Sequence, residues 1–174
     1  IPNLEILGCF NNNIKERFCS EFIKHNLHNK LVDALSCGNQ KEIYDVLFDM
    51  LQKYVSIRDT ATKAPLENYY HGFLNGIFTS CEKLVSEYHS NYESGNGYPD
   101  ITFKAERNTK AVIIEIKATS NEEDMDELAT NDLSQIEEKN YAQPFIKQSK
   151  ITEIYAYGLV FCKKDCLVFC KKLK

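Results

Sequence analysis

The sequence predicts an α/β protein with a helical N-terminal segment, and three observations predict it. Up to about residue 88, apolar residues recur at helical spacing. Beyond that point they run in short blocks broken by turn residues, as strands do. Between Ala111 and Ala118, the residues Val112, Ile113, Ile114 and Ile116 form the near-continuous apolar run of a strand covered on both faces. The 174 residues fit one domain with one sizeable core, and 43% hydrophobic with 26% charged residues is ordinary for a globular chain.

Each element follows from its own pattern. Ile14, Phe18, Phe22, Ile23, Leu31, Val32 and Leu35 keep a helical period that Gly38 stops. Asn39 followed by Glu42 is a capping arrangement for a second helix, with Ile43, Val46, Leu47, Met50, Leu51 and Tyr54 on one stripe. A third helix starts near Pro65 and runs to about Val85; its stripe of Leu66, Tyr69, Tyr70, Phe73, Leu74, Ile77, Phe78, Cys81 and Leu84 is wide enough for burial on most sides. Strands are expected from Val85 to Tyr92, Asp100 to Ala105 and Ala111 to Ala118, with Ser94-Gly95-Asn96-Gly97 as a turn. A helix follows from Asn121 to about Tyr141, and a strand pair, Glu153 to Phe161 and Leu167 to Lys171, closes the chain. The division expected is 1–60 as a helical segment packed on a core of 61–174, in one compact domain.

Composition narrows the setting. No apolar run approaches the ~18–20 residues that span a bilayer, and no basic-then-apolar leader opens the chain. It starts at Ile1 without Met and reads as a piece of something larger. Seven cysteines cannot form a complete internal disulfide set, and most sit in apolar surroundings, so a reducing, cytoplasmic setting is expected. Cys162, Cys166 and Cys170 recur every four residues but have no nearby His to complete a zinc site. The net charge of −4 is not that of a basic nucleic-acid binder. Much of it comes from Glu122, Glu123, Asp124, Asp126 and Glu127, which read as a solvated helix start. The lysines 163, 164, 171, 172 and 174 read as a solvated basic end. His25, His28 and His89 read as surface residues, and His71 as a packed or hydrogen-bonded helix residue.

The chemistry sits in Pro99-Asp100 and Glu115-Ile116-Lys117. Alternation puts Glu115 and Lys117 on one face of their strand. If the hairpin turns between Asn108 and Thr109, Asp100 faces Lys117 and lies diagonal to Glu115. Spacing alone leaves two readings open, a surface ion triad or a functional site; the apolar flanks make idle charges costly. A functional trio would suit phosphodiester hydrolysis. Asp100, Glu115 and the carbonyl of Ile116 are oxygen donors suited to Mg²⁺ or Mn²⁺. Lys117 is suited to orient water or to stabilise charge on phosphate.

The ordered set resembles the PD-(D/E)XK nuclease superfamily, and within it the branch often found behind a predicted AAA-type ATPase domain. The residues carrying the resemblance are Ile1-Pro2-Asn3, Glu67 with Tyr70-His71-Gly72-Phe73, Glu93-Ser94-Gly95-Asn96-Gly97 leading to Asp100, and Ile113-Ile114-Glu115-Ile116-Lys117. Leu133, Gln135-Ile136, Lys139 and Tyr141 continue it, and Tyr157-Gly158-Leu159-Val160-Phe161 close it. The resemblance implies a restriction-endonuclease-like core, a central mixed sheet flanked by helices. It implies metal ligation by Asp100 and Glu115 assisted by Glu67, catalysis by Lys117, and a site lined by Gln135 and Tyr141. The chain departs from the branch at Tyr98, where Arg is usual, at Asn91, where Glu is common, and at Asp132, where Ala is common. The expected function is a Mg²⁺- or Mn²⁺-dependent nuclease acting on DNA, with RNA as a further substrate class. A homodimer and an ATPase-like domain in the full-length protein are its expected associations. The alternative is a module that keeps the fold and binds nucleic acid or protein without turnover.

Overall fold

The computed structural model describes residues 26–56, 65–81 and 83–174. The stripe from Ile14 to Ile23, the segment Ile1-Pro2-Asn3 and His25 lie outside them. Helix α1 spans Leu27–Cys37 and ends as its sequence dictates: Gly38 adopts a left-handed φ of 72° and donates its N–H to the Ala34 carbonyl. A Cβ at Gly38 would stand 2.7 Å from the Tyr155 ring, so the close approach also needs glycine. Helix α2 spans Gln40–Tyr54. Asn39 Oδ1 accepts the Glu42 N–H at 3.2 Å, while the Asn39 side-chain amide donates to Glu42 Oε2 at 2.9 Å. The cap is therefore reciprocal, although the glutamate takes the amide rather than the backbone N–H of Asn39.

Helix α3 spans Leu66–Thr79 and stops short of the expected Val85. Thr79 Oγ1 donates to the Asn75 carbonyl at 2.8 Å and Ser80 Oγ to the Ile77 carbonyl at 2.6 Å, side-chain bonds that compete with further helix. Cys81 and Val85 stay buried in a turn after it.

Five strands form one sheet in the order β1-β2-β3-β4-β5: β1 Ser86–Ser90, β2 Ile101–Ala105, β3 Lys110–Ala118, β4 Glu153–Cys162 and β5 Asp165–Lys172. Neighbours pair antiparallel except β3 and β4, which run parallel, so the sheet is mixed. Strand β1 is shorter than the expected Val85 to Tyr92. Its pairing is irregular between Ser86 and His89, and Glu87 and Asn91 take positive φ. A short 3₁₀ turn, Glu122–Asp124, leads into helix α4, Met125–Glu138, and a single-turn helix α5, Gln143–Ile146, follows. Tyr141 thus lies beyond the helix that was expected to reach it. Helix α5 is too short for a periodic signal.

The sheet separates two helical layers. On one face, Ile101, Phe103, Val112, Ile114, Ile116, Tyr157, Leu159 and Phe161 join residues of α1, α2 and α3 in the larger core. Tyr70 stacks on Phe161 with ring centres 4.6 Å apart, and its hydroxyl donates to the Lys163 carbonyl at 2.7 Å. The Tyr157 hydroxyl donates to the Leu35 carbonyl at 2.5 Å. On the other face, Ala111, Ile113, Ile154 and Ala156 pack against Ile136, Tyr141, Ala142 and Phe145. This is the α/β architecture that the sequence predicts, with a central mixed sheet flanked by helices and a helical N-terminal segment.

His28, expected at the surface, is buried on α1 beside Leu27 and Leu31, while His89 is half-buried. Cys81, Cys162 and Cys166 are buried, and the five described cysteines are free thiols. Burial pushes the Cys81 thiol up to about 11, which keeps it protonated and inert. No helix among the described residues is long and apolar enough to cross a membrane.

Candidate active site

The β2–β3 hairpin turns one step earlier than expected. Ile101 pairs with Ile114 and Ala105 with Lys110, which centres the turn between Arg107 and Asn108. Glu106, Arg107 and Asn108 all adopt left-handed φ, at 47°, 57° and 66°, an arrangement that no glycine announces in the sequence. Continuing the register sets Asp100 opposite Glu115, with Lys117 on the diagonal. The expected partners are exchanged but the shared face is kept, because the register moves by two residues rather than one.

Asp100 sits just before β2 and its carboxylate turns onto β3, where Oδ2 accepts the N–H of Ile116 at 2.7 Å. A side chain thus takes the place of the next backbone partner in the ladder. Asp100 is held by its main chain as well. Its carbonyl accepts the Asn91 N–H at 2.9 Å and lies 3.2 Å from His71 Nε2, which is itself 3.0 Å from Ser90 Oγ. The His71 contact ties α3 to the aspartate.

Glu115 is 2% exposed, and its Oε1 is sealed from solvent. Its neighbour on β4 is Gly158, which puts no side chain beside it. Lys117, two residues on, is half-buried. Its ammonium lies 3.5 Å from the Ile116 carbonyl and 3.9 Å from Glu67 Oε1. Glu67 stands in the first turn of α3, at the C-terminal end of β3. There Pro65, Leu66, Glu67, Ala118, Thr119 and Ser120 line an open cleft of about 430 Å³.

Gln135 and Tyr141 meet on the opposite side of the carboxylates from α3. The Gln135 amide donates to the Tyr141 hydroxyl at 3.4 Å. Burial raises the Tyr141 pKa, and the nearby Glu115 and Asp100 charges raise it further. The bonds from Gln135 and from the Tyr98 backbone act the other way without reversing the shift. Tyr141 therefore remains a neutral hydroxyl, able to donate, at any ordinary pH.

Tyr141 bonds to Gln135 and feels the charges of Glu115 and Asp100, and Glu67 pairs with Lys117. Among the described residues, no three His, Cys, Asp or Glu side chains gather into a metal-holding group. The donor chemistry nonetheless fits a hard cation, which takes one or two carboxylates and keeps several waters. In an extended strand the N–H and C=O of one residue point to the same side. The Ile116 carbonyl therefore faces the edge that its N–H shares with Asp100, and two carboxylates plus a carbonyl supply only oxygen. Sequence reasoning read His71 as a packed or hydrogen-bonded helix residue but did not foresee that its partners are the Asp100 carbonyl and Ser90.

A family model for the PD-(D/E)XK nuclease superfamily matches residues 66–170, more than half of the chain. Comparison with curated proteins finds no match.

Proposed function

Because the chain belongs to the PD-(D/E)XK nuclease superfamily, we propose that it is a Mg²⁺- or Mn²⁺-dependent nuclease that hydrolyses phosphodiester bonds in DNA. The observation that carries this reading is the register that sets Asp100 opposite the buried Glu115, with Lys117 next along the same face. Asp100, Glu115 and the Ile116 carbonyl would hold the cation, with Glu67 assisting from α3. The cation, when bound, supplies charge neutralisation at the phosphate and activation of water.

The remaining steps belong to the chain. Lys117 and Glu67 are both partly exposed, so their ion pair contributes at most about 1 kcal/mol. The lysine leaves it at little cost and moves its ammonium to the attacking water or to the phosphate oxygens, where negative charge develops. The neutral Tyr141 hydroxyl and the Gln135 amide donate to phosphate oxygens and hold the scissile group against the carboxylates. Pro99, buried before Asp100, stiffens the approach to the aspartate.

The absence of a three-residue metal group among the described residues favours a second reading, a non-catalytic module that binds nucleic acid or protein. Incubation of the chain with single-stranded, double-stranded and supercoiled DNA, and with RNA, in Mg²⁺, Mn²⁺ or EDTA separates the two. Cleavage of DNA that EDTA abolishes is the expected result. DNA that is bound but left intact with either cation would sink the nuclease reading in favour of the module.

Several finer assignments go with this proposal. The ordered motifs resemble the branch that follows an ATPase-like domain, and we assign the chain to it. A homodimer suits a site that cuts one strand at a time. We assign residues 1–60 to the N-terminal segment and 61–174 to the nuclease core. The free thiols suit a reducing, intracellular setting.

A further inference from the structure

Two aromatic rings stand out beside the site. Tyr92 is 61% exposed and Tyr98 63%, and both flank the Ser94–Gly97 turn that leads into Asp100. A tyrosine ring offers a broad flat face for stacking with a polar tip in water, and here two such rings lie at one turn.

The loop that carries them is clamped. The Asn96 N–H donates to the Lys139 carbonyl at 2.7 Å and Ser94 Oγ to the Tyr141 carbonyl at 2.9 Å. Gly95 has a left-handed φ of 62°, and a Cβ there would stand 2.3 Å from the Asn140 carbonyl oxygen. Gly97 lies against the Tyr141 ring, and the Tyr98 backbone bonds to the Tyr141 hydroxyl. The backbone is thus fixed to the residues that line the site, and the Tyr98 side chain is exposed. His89 backs the Tyr92 ring at a centroid distance of 4.6 Å and an angle of 23°. A ring already backed in this way loses little freedom when a base stacks on its open face.

Charge argues for the same occupant. A duplex is held mainly through neutralised phosphates. Four carboxylates, Asp100, Glu115, Glu67 and Glu93, stand against two lysines, Lys117 and Lys139, around this end of the sheet. Of the tail lysines, Lys163, Lys171 and Lys172 pair with Glu122, Glu137 and Glu153 through exposed contacts of small energy. Bases in an unpaired strand present free aromatic faces, and stacking on them needs no cations. We infer that Tyr92, backed by His89, and Tyr98 form a stacking platform for the unpaired bases of a single strand entering the site. The inference rests on the nuclease reading for the identity of the ligand. It deepens that reading by naming the strand form.

Fluorescence anisotropy in EDTA tests it with a labelled oligothymidine strand, the same strand annealed to its complement, and a strand of abasic sites. The single strand is expected to bind at least ~10-fold more tightly than the other two, since each stacked base contributes about tenfold. Joint replacement Tyr92→Ala and Tyr98→Ala is expected to abolish the preference, and joint replacement by Phe to keep it. Equal affinity for the abasic strand or the duplex, or an unaltered preference in the alanine pair, would overturn the platform. Cleavage is scored separately. A chain that keeps the strand preference but cuts nothing in Mg²⁺ or Mn²⁺ overturns the nuclease reading and leaves the platform standing. One that cuts duplexes, with the alanine pair cutting equally fast, overturns the platform and leaves the nuclease.

Discussion

Lys117→Ala is expected to slow single-turnover cleavage by about 100-fold or more while Mg²⁺ binding and DNA binding stay close to those of the unaltered chain. The ammonium is a poor partner for a cation and a good one for water or phosphate, so its loss should fall on the transition state rather than on binding. The surroundings sharpen the expectation. Lys117 shares its face with the buried Glu115, and its ion pair with Glu67 is too exposed to matter much for folding. Lys117→Arg should rescue poorly, because a planar guanidinium does not reproduce a compact ammonium on a short reach. Cleavage by Lys117→Ala at the unaltered rate would remove the lysine from the mechanism.

Loss of a carboxylate should instead strike metal binding, and the two acids call for different probes. Glu115→Gln keeps the side-chain shape in its buried setting and removes the charge. Calorimetry should then show Mg²⁺ affinity reduced at least ~10-fold, with cleavage lost alongside, as expected when a hard cation loses an anionic oxygen donor. Asp100 has a second duty, because its Oδ2 satisfies the Ile116 N–H. Asp100→Ala would remove a ligand and also leave that N–H unpaired, at about 1–3 kcal/mol. Asp100→Asn retains an oxygen to accept the N–H and loses only the charge, so it reports on the metal alone. Unchanged Mg²⁺ affinity in both Glu115→Gln and Asp100→Asn would move the cation site elsewhere.

What the residues disclosed in advance was what local physics decides. Asn39, Gly38 and the Ser94–Gly97 turn act within a few residues, and each does what its side chain or backbone freedom predicts. Period two sufficed to put Glu115 and Lys117 on one face. The partner of Asp100 was beyond reach, because the register depends on three left-handed residues, Glu106, Arg107 and Asn108, none of them glycine. The approach of Tyr141 to Glu115 joins separate layers and came from the resemblance, not from spacing. The contact of His71 with the Asp100 carbonyl likewise spans two elements distant in sequence. The burial of His28 shows the same limit, since a titratable ring inside an apolar stripe is assigned to water by its type and to the core by its position.

The stretch that defines the family does not hold the whole of its own core. The match begins at residue 66, after α1 and α2. Yet Leu31, Leu35, Ile43, Leu47, Met50 and Leu51 from those two helices fill one side of the sheet, and the Tyr157 hydroxyl finds its acceptor at Leu35. A chain trimmed to the family boundary would present that apolar face to water and strand a buried phenol. A bare patch of this kind invites aggregation. Anyone shortening the protein for crystallisation or for fusion to a partner should therefore keep both helices as the lid of the larger core.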